Sequence, residues 1–409
     1  MKSSTLKTII YLIGYCLYPF SFLIPRSEKK WAFGSFRNAF GDNAKYLFLH
    51  LAEHHRGEEV AWISASRKTV QRVRRLGLQA YFIGSLRGLW FALRAKRWFF
   101  NAYTSDILFF ASGSATCINL WHGIGGGKKI EFSTAKNSHG AMAERYVKKT
   151  LRQRFFYPQC YRRPDYVLSS TSFQSSLFAE AFRVPPSRCL NVGYPRNAIL
   201  TAAEAARQRF ISRYEPRQTK DIIDRIKKYR KTYIYMPTWR DSQREVFVNN
   251  INLGALNEKM KAAGSLFLLK PHANTIVDKA VVAGFENLLL VEGGVDIYPI
   301  LPYTDVLVTD YSSVSCDYAL MEGKDIILYL YDMEDYIRER EFYYPFLDNV
   351  AGKVAYDFEE LMSIIGANDY TVDLAKRDEI LRKFWGNTAG KTLEEVSEDI
   401  LRQVQGCGH

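Results

Sequence analysis

The strongest constraint on the fold is a recurring alternation of short, continuously apolar runs with amphipathic or charged stretches. The first series is "WAFGSF" (31–36), "VAWIS" (60–64), "QAYFIG" (79–84), "RWFFNAY" (97–103), "CINLWHG" (117–123) and "YVLSS" (166–170). Runs of about four to eight apolar residues have strand length, and being apolar on both faces they suit a parallel sheet covered by helices. A second series follows with "TYIYMPTW" (232–239), "SLFLLKPH" (265–272), "NLLLVEG" (287–293), "VLVTDYSS" (306–313) and "DIILYLYD" (325–332). Between the two lies a charged, weakly apolar tract, 203–231. The pattern predicts two α/β domains, and the 409 residues exceed the roughly 100–200 that one domain needs. The expected organisation is a membrane-associating segment (1–30), a first domain (31–205), a linker region (206–231), a second domain (232–380) and a carboxyl-terminal helix and tail (381–409).

The amino terminus carries the one membrane signal. Residues 9–25, "IIYLIGYCLYPFSFLIP", hold no charge and are flanked by Lys2, Lys7, Arg26, Lys29 and Lys30. A spanning helix needs about 20 apolar residues, and Pro19 interrupts this run. No small-residue cleavage site follows, which argues against a secretory leader. The expectation is a helix lying in the interface with its basic rim on anionic lipid, with a buried first helix as the bland alternative.

A formal net charge of +13 points to an anionic partner without choosing among nucleotide, phosphopolymer, nucleic acid and membrane surface. The stretch 145–163, "RYVKKTLRQRFFYPQCYRR", holds seven Lys/Arg and no acid, interleaved with aromatics. Beside an amino-terminal anchor it reads as a membrane-facing element, and no nucleic-acid partner is expected. The six cysteines are scattered without a CxxC pair, which predicts a reducing compartment and no zinc site.

Polar or reactive residues cluster at the carboxyl ends of the expected strands, where open parallel sheets bind ligands. His122 follows "CINLW" and leads into Gly123, Gly125, Gly126, Gly127, Lys128 and Lys129. Neither a Walker loop nor a dinucleotide fingerprint fits that spacing. Glycines still let backbone approach a ligand closely, and the lysines supply charge beside it. His122 can take a proton from a hydroxyl at neutral pH or be an ordinary strand-end histidine, and the residues alone leave both open. "KPHAN" sets Lys270 and His272 at the matching place in the second domain, and "TDYSS" brings Asp310, Ser312 and Ser313 to a strand end where a new helix starts. Ser312 or Ser313 can cap that helix, and its free amides can receive an anion. "MPTWRDS" contributes Thr238 and Arg240, and Arg240 can grip a phosphate or pair with Asp241 or Asp310.

In order, "WAFGSFRNAFGDNAKYLF" (31–48), "LWHGIGGGKKI" (120–130), "NVGYPRN" (191–197), "YMPTWRD" (235–241), "LLKPH" (268–272) and "DVLVTDYSSVSCDYAL" (305–320) resemble the CDP-glycerol glycerophosphotransferase family, which primes and extends teichoic acids and related phosphopolymers. The resemblance implies a GT-B-like fold of two Rossmann-like domains around a cleft, with the donor held mainly by the second. It implies a peripheral, monotopic enzyme at the cytoplasmic face of a bacterial membrane. The donor is CDP-glycerol or a related CDP-polyol; the acceptor is a polyprenyl-diphosphate-linked saccharide or polymer. No cofactor or metal is expected. His122 and His272 are the expected catalytic residues. Arg240, Thr238, Lys270, Asp310, Ser312 and Ser313 fall on the donor side, and Gly123, Gly125, Gly126, Lys128, Lys129 and Arg196 on the acceptor side. Two departures lie on the acceptor side: "IGGGKK" replaces the family's Thr-Pro-Leu-Lys type loop, and Ala198 stands where Asp is common after "GYPRN".

Two other readings compete. A CDP-ribitol transferase or a glycosyltransferase on the same scaffold differs only in donor. A non-catalytic basic module for membrane or nucleic acid accounts for the charge but leaves both strand-end histidines without a role. The chain carries no appended repeat, which leans toward the addition of one or a few units.

Overall fold

The computed structural model describes residues 2–55, 57–124, 127–134, 136, 138, 142–238, 250–272, 275 and 278–406. The apolar runs form two parallel sheets. The first contains β1 (Ser27–Phe33), β2 (Glu59–Ser64), β3 (Ala80–Phe82), β4 (Ala95–Phe100), β5 (Thr116–Asn119), β6 (Tyr166–Ser169) and β7 (Cys189–Asn191), in the order β3-β2-β1-β4-β5-β6-β7. The second contains β8 (Lys231–Met236), β9 (Ser265–Leu269), β10 (Leu288–Leu290), β11 (Val306–Thr309), β12 (Asp325–Tyr329) and β13 (Lys353–Ala355), in the order β10-β9-β8-β11-β12-β13. Each sheet reverses direction beside its first strand, at β1/β4 and at β8/β11. The crevices at those two switch points open at the carboxyl ends of the strands.

Both faces of the central strands are covered, which is why their sequences do not alternate. Ala32 and Phe33 of β1 are fully buried opposite Ala61 and Trp62 of β2, and Val308 of β11 opposite Tyr235 of β8. Phe33 stacks on Phe99 at 4.7 Å, and Trp62 meets Phe40 edge-on at 4.8 Å. A side chain of this size contributes about 1.5–3 kcal/mol on full burial.

The charged tract between the sheets is packed helix. Glu204–Tyr214 and Arg217–Ile226 bury Ile211, Tyr214, Ile222, Ile223 and Ile226, a helical spacing that the charges around it mask. Near the carboxyl terminus, Leu374–Phe384 runs across the expected boundary at 380, and the chain then returns to the first sheet. Thr171 Oγ1 donates to the Lys383 carbonyl at 3.0 Å, Ser170 Oγ donates to that of Phe384, and Trp385 Nε1 donates to the Cys316 carbonyl of the other domain at 2.9 Å. The tail therefore ties both halves together.

At the amino terminus, Lys2–Leu17 is a helix that stops before Pro19. One side is docked: Gly14 lies against the Phe110 ring, and Tyr15 donates to the Phe155 carbonyl at 2.8 Å. The other side leaves Leu6, Ile9, Ile10, Leu12, Ile13 and Leu17 between 47% and 60% exposed, continued by Phe20 and Leu23. Among the described residues no helix is long and apolar enough to cross a membrane.

Candidate functional site

Three loops of the first domain meet at the β1/β4 switch. In the loop after β1, Arg37 and Asn38 adopt left-handed conformations (φ 56° and 59°), as does Asp42 (φ 62°) at the start of helix Asp42–His54. After β4, Asn101 acts as a hub. Its side chain accepts from Ala44 N at 3.0 Å and donates to Ser35 Oγ at 2.8 Å, and its carbonyl faces His122 Nδ1 at 3.1 Å. A carbonyl can only accept, so Nδ1 carries the proton and Nε2 keeps its lone pair. Nε2 has no partner among the described residues.

The turn that presents His122 is strained and braced. Trp121 sits at φ 49°, costly for a bulky residue. Asn43 Nδ2 holds it there by donating to the carbonyls of Leu120 (3.2 Å) and Trp121 (2.9 Å). Arg196 Nη1 donates to the His122 carbonyl at 3.0 Å.

The second domain supplies the facing wall. His272 follows β9 and is solvent-exposed, yet its pKa is pushed down to about 4. Burial in the crevice is the largest cause, followed by the charges of Lys128, His122, Arg37 and Lys270. Groups from both domains therefore converge on one point with a positive field. His122 is also held below its usual range, first by burial and then by Arg196 and Lys128, with Asp42 opposing. Each imidazole is reachable by solvent while the surrounding protein disfavours its cation, which keeps it neutral near pH 7. Lys270 is pushed down to about 8 by burial and donates to the Glu292 carbonyl at 2.8 Å.

The other expected site residues divide by position. Ser313 stands at the start of the short helix Val314–Tyr318 without capping it by its side chain, whereas Ser312 Oγ accepts weakly from Val314 N at 3.4 Å. Ser313 Oγ lies across from Gly123, where an added Cβ would come within 2.8 Å of it. The two domains thus touch at a glycine beside His122. Asp310 is buried and accepts from Thr238 N at 2.8 and 3.1 Å, so it shapes the β8 turn. Lys128 bridges to Phe342 in antiparallel fashion, and Gly127 (φ 67°) accepts from Tyr343 N at 2.6 Å. Lys129 points to Glu341 at 2.9 Å, so of the two lysines it is Lys128 that charges the cleft. Arg240, Gly125 and Gly126 lie outside the described residues.

Arg196 is a buried tie between the domains. Its guanidinium pairs with Asp42 at 2.7 Å and with Asp317 at 3.0 Å, and stacks 4.4 Å from the Tyr298 ring centre. Asp317 is fully buried and also accepts from Asn197 at 2.8 Å and from Tyr298 OH. A second tie is Lys45, buried between Glu215 and Asp296, the latter at 2.8 Å. Sequence reasoning passed over Arg37, Asn101, Asp317 and Lys45. Arg37 had a legible signal, a basic residue in the first strand-to-helix loop of a parallel domain; the others became visible only through their partners.

Away from the cleft, His50, His55 and Glu398 bring possible ligand atoms within 4.8 Å of one another between helices Asp42–His54 and Leu393–Gly406. The 2.9 Å hydrogen bond between His55 Nε2 and Glu398 Oε1 accounts for the closeness of this group.

A family model described as CDP-glycerol:poly(glycerophosphate) glycerophosphotransferase matches residues 16–402. A teichoic acid glycerol-phosphate transferase of Staphylococcus aureus is 26% identical over 98% of this chain and 100% of its own length. A teichoic acid ribitol-phosphate primase of Bacillus spizizenii is 25% identical over 69% of this chain and 68% of its own. Among solved structures, the wall teichoic acid polymerase TagF superposes with a TM-score of 0.72 at 20% identity, covering 100% of both chains.

Proposed function

The chain belongs to the CDP-glycerol:poly(glycerophosphate) glycerophosphotransferase family, and from that premise we propose how its cleft transfers glycerol phosphate from CDP-glycerol to an acceptor hydroxyl. The observation that carries the assignment of roles is the convergence of His122, Lys128 and Arg37 of the first domain on His272 of the second. His122 Nε2 takes the proton from the acceptor hydroxyl. The hydroxyl oxygen forms its bond to the glycerol-bearing phosphorus as the bond to the bridging oxygen of the diphosphate breaks. CMP departs with that electron pair. His272, Lys128 and Arg37, with Ser312, Ser313 and Arg240, hold the diphosphate and oppose the negative charge that grows on it. Phosphoryl transfer is largely positioning and electrostatics, which such a set of groups supplies. Lys270, Asp310 and Thr238 set the donor-side turns, and Arg196 positions the His122 loop.

The acceptor in this reading is a lipid-linked saccharide or growing polymer, met at the inner membrane surface. The exposed apolar side of helix Lys2–Leu17 supports peripheral attachment there. Loss of vesicle sedimentation in Ile9→Glu/Ile13→Glu is the expected outcome; retention refutes the attachment. A ribitol donor is the second reading, favoured by the similarity to a ribitol-phosphate primase.

The test is nucleotide release from CDP-glycerol, CDP-ribitol and a UDP-sugar, each with a lipid-linked disaccharide, followed by chromatography for wild type and His122→Asn. CMP from CDP-glycerol alone, lost in the variant, is expected. Release from CDP-ribitol alone changes the donor, and full activity in His122→Asn removes the base.

A further inference from the structure

His50 sits on helix Asp42–His54 where the returning carboxyl-terminal helix, Leu393–Gly406, packs against it. The side chain is 7% exposed, and its Nε2 has no hydrogen-bond partner among the described residues. A buried polar nitrogen left in that state is costly, so this one calls for a ligand. What it faces is Glu398 Oε1, 3.6 Å away. The same oxygen accepts from His55 Nε2 at 2.9 Å. That bond explains why His55 approaches Glu398, and it does nothing for His50.

The three side chains offer donor atoms of one kind of metal site at close to its spacing. All three atoms lie within 4.8 Å of one another. Zinc binds imidazole nitrogen and carboxylate oxygen at about 2.0–2.2 Å, which sets neighbouring donors of a tetrahedral site about 3.4 Å apart. The distances of 3.6 and 2.9 Å fall on either side of that value, so small side-chain shifts close the site. Two imidazoles and one carboxylate suit zinc, whereas calcium and magnesium take shells made of oxygen. His54, one turn along from His50, is 63% exposed and has its ring centre 4.8 Å from that of His50. The fourth position falls to it or to water. With zinc on His55 Nε2, the ring proton moves to Nδ1, which stands 3.9 Å from Glu58 Oε2. A carboxylate on the far nitrogen is the usual support of a ligating histidine. The scattered cysteines spoke against a zinc site in the sequence, but this one uses no thiolate, and its ligands lie at opposite ends of the chain.

We propose that His50, His55 and Glu398 bind one zinc ion that clamps the carboxyl-terminal helix to the first domain. Helix Asp42–His54 begins with Asp42, the partner of Arg196, and Asn43, which braces the His122 turn. The clamp therefore fixes the helix on which the cleft is built. His50 stands about 12 Å along the axis from Asp42, so the ion takes no part in the transfer step.

The experiment uses the full chain without an affinity tag, stripped with a chelator and returned to metal-free buffer. Zinc and magnesium binding are measured by calorimetry, and thermal unfolding is followed with and without zinc. The proteins are wild type, His50→Gln, Glu398→Gln, and Glu394→Gln as a control from the same helix outside the cluster. Wild type and control should bind one zinc per chain and leave magnesium unbound at this site. Affinity for zinc should fall roughly tenfold or more in each cluster variant. At a hundredfold excess over Kd, zinc should raise Tm by about 3 °C or more in wild type and control, and by about 1 °C at most in the cluster variants. Cooperative unfolding of the metal-free variants shows that they fold. Glu398 is 44% exposed, so its variant decides the matter if His50→Gln does not fold. Absence of zinc binding in wild type overturns the proposal. So does equal zinc affinity in all four proteins, and so does zinc binding that leaves Tm unchanged. None of these readouts needs turnover, so the clamp stands or falls apart from the assignment of the cleft.

Discussion

Replacing Arg196 with methionine tests whether the tie between the domains also organises the site. The substitution keeps much of the apolar stem and removes the contacts to Asp42, to the His122 carbonyl and to Asp317. Asp42 is partly exposed and water can replace its partner, whereas Asp317 is 0% exposed. An uncompensated buried carboxylate costs about 3–5 kcal/mol. Urea unfolding at neutral pH should then show the midpoint lowered by about 1 M or more, for a slope near 3 kcal/mol/M. Asp317 already has its pKa raised by burial, against the pull of Arg196, so losing Arg196 raises it further. The sign follows: a carboxyl with a folded pKa above its unfolded value contributes no penalty below the unfolded pKa. Stability then falls as pH rises from there through the folded pKa. Arg196→Met should therefore lose more stability at pH 8 than at pH 5, and Asp317→Asn in the same background should recover about half of the loss. Turnover should drop in Arg196→Met and stay low in the double variant, because the His122 carbonyl is untethered in both. A loss below about 1 kcal/mol, or no recovery with Asp317→Asn, would refute the assignment of the cost to the buried carboxylate.

His272 is depressed partly by neighbouring cations, so a bound diphosphate should raise its pKa toward 6.5; CDP-glycerol should bind more tightly as pH falls from 6.5 toward 4, with proton uptake read by calorimetry in two buffers. Lys128→Gln should raise the His272 pKa of the free protein, followed by NMR, and weaken donor binding. Lys129→Gln, whose half-buried pair with Glu341 contributes about 1 kcal/mol, should do neither; equal effects from the two lysines would contradict their different placement. Gly123→Ala puts a methyl group against Ser313 Oγ and should lower turnover by forcing the domains apart at the cleft, while Gly264→Ala, strained in backbone but with open space around it, should cost stability without altering donor affinity.

Much of the architecture was legible because burial on both faces writes itself into sequence as continuous apolar runs, and strand-end residues follow from topology. His122 and His272 were singled out as candidates on that ground. The two strands that escaped, β7 (Cys189–Asn191) and β13 (Lys353–Ala355), are short outer strands that bury too little to leave such a run. The helices at 204–226 were hidden among charges because only one narrow face of each is apolar.

The sequence by itself determined the local order of this protein: which segments are strands, where the chain turns, and which reactive groups stand at strand ends. Only the tertiary structure decided what those groups face. Arg196 and Lys129 look like Lys128 in sequence, being cations in loops. Their difference lies in carboxylates far along the chain, Asp317 and Glu341, which are near only after folding. His50 and Glu398 likewise become neighbours through folding. A charge acts through whatever lies within a few ångströms of it, and that set of neighbours is a property of the packed chain.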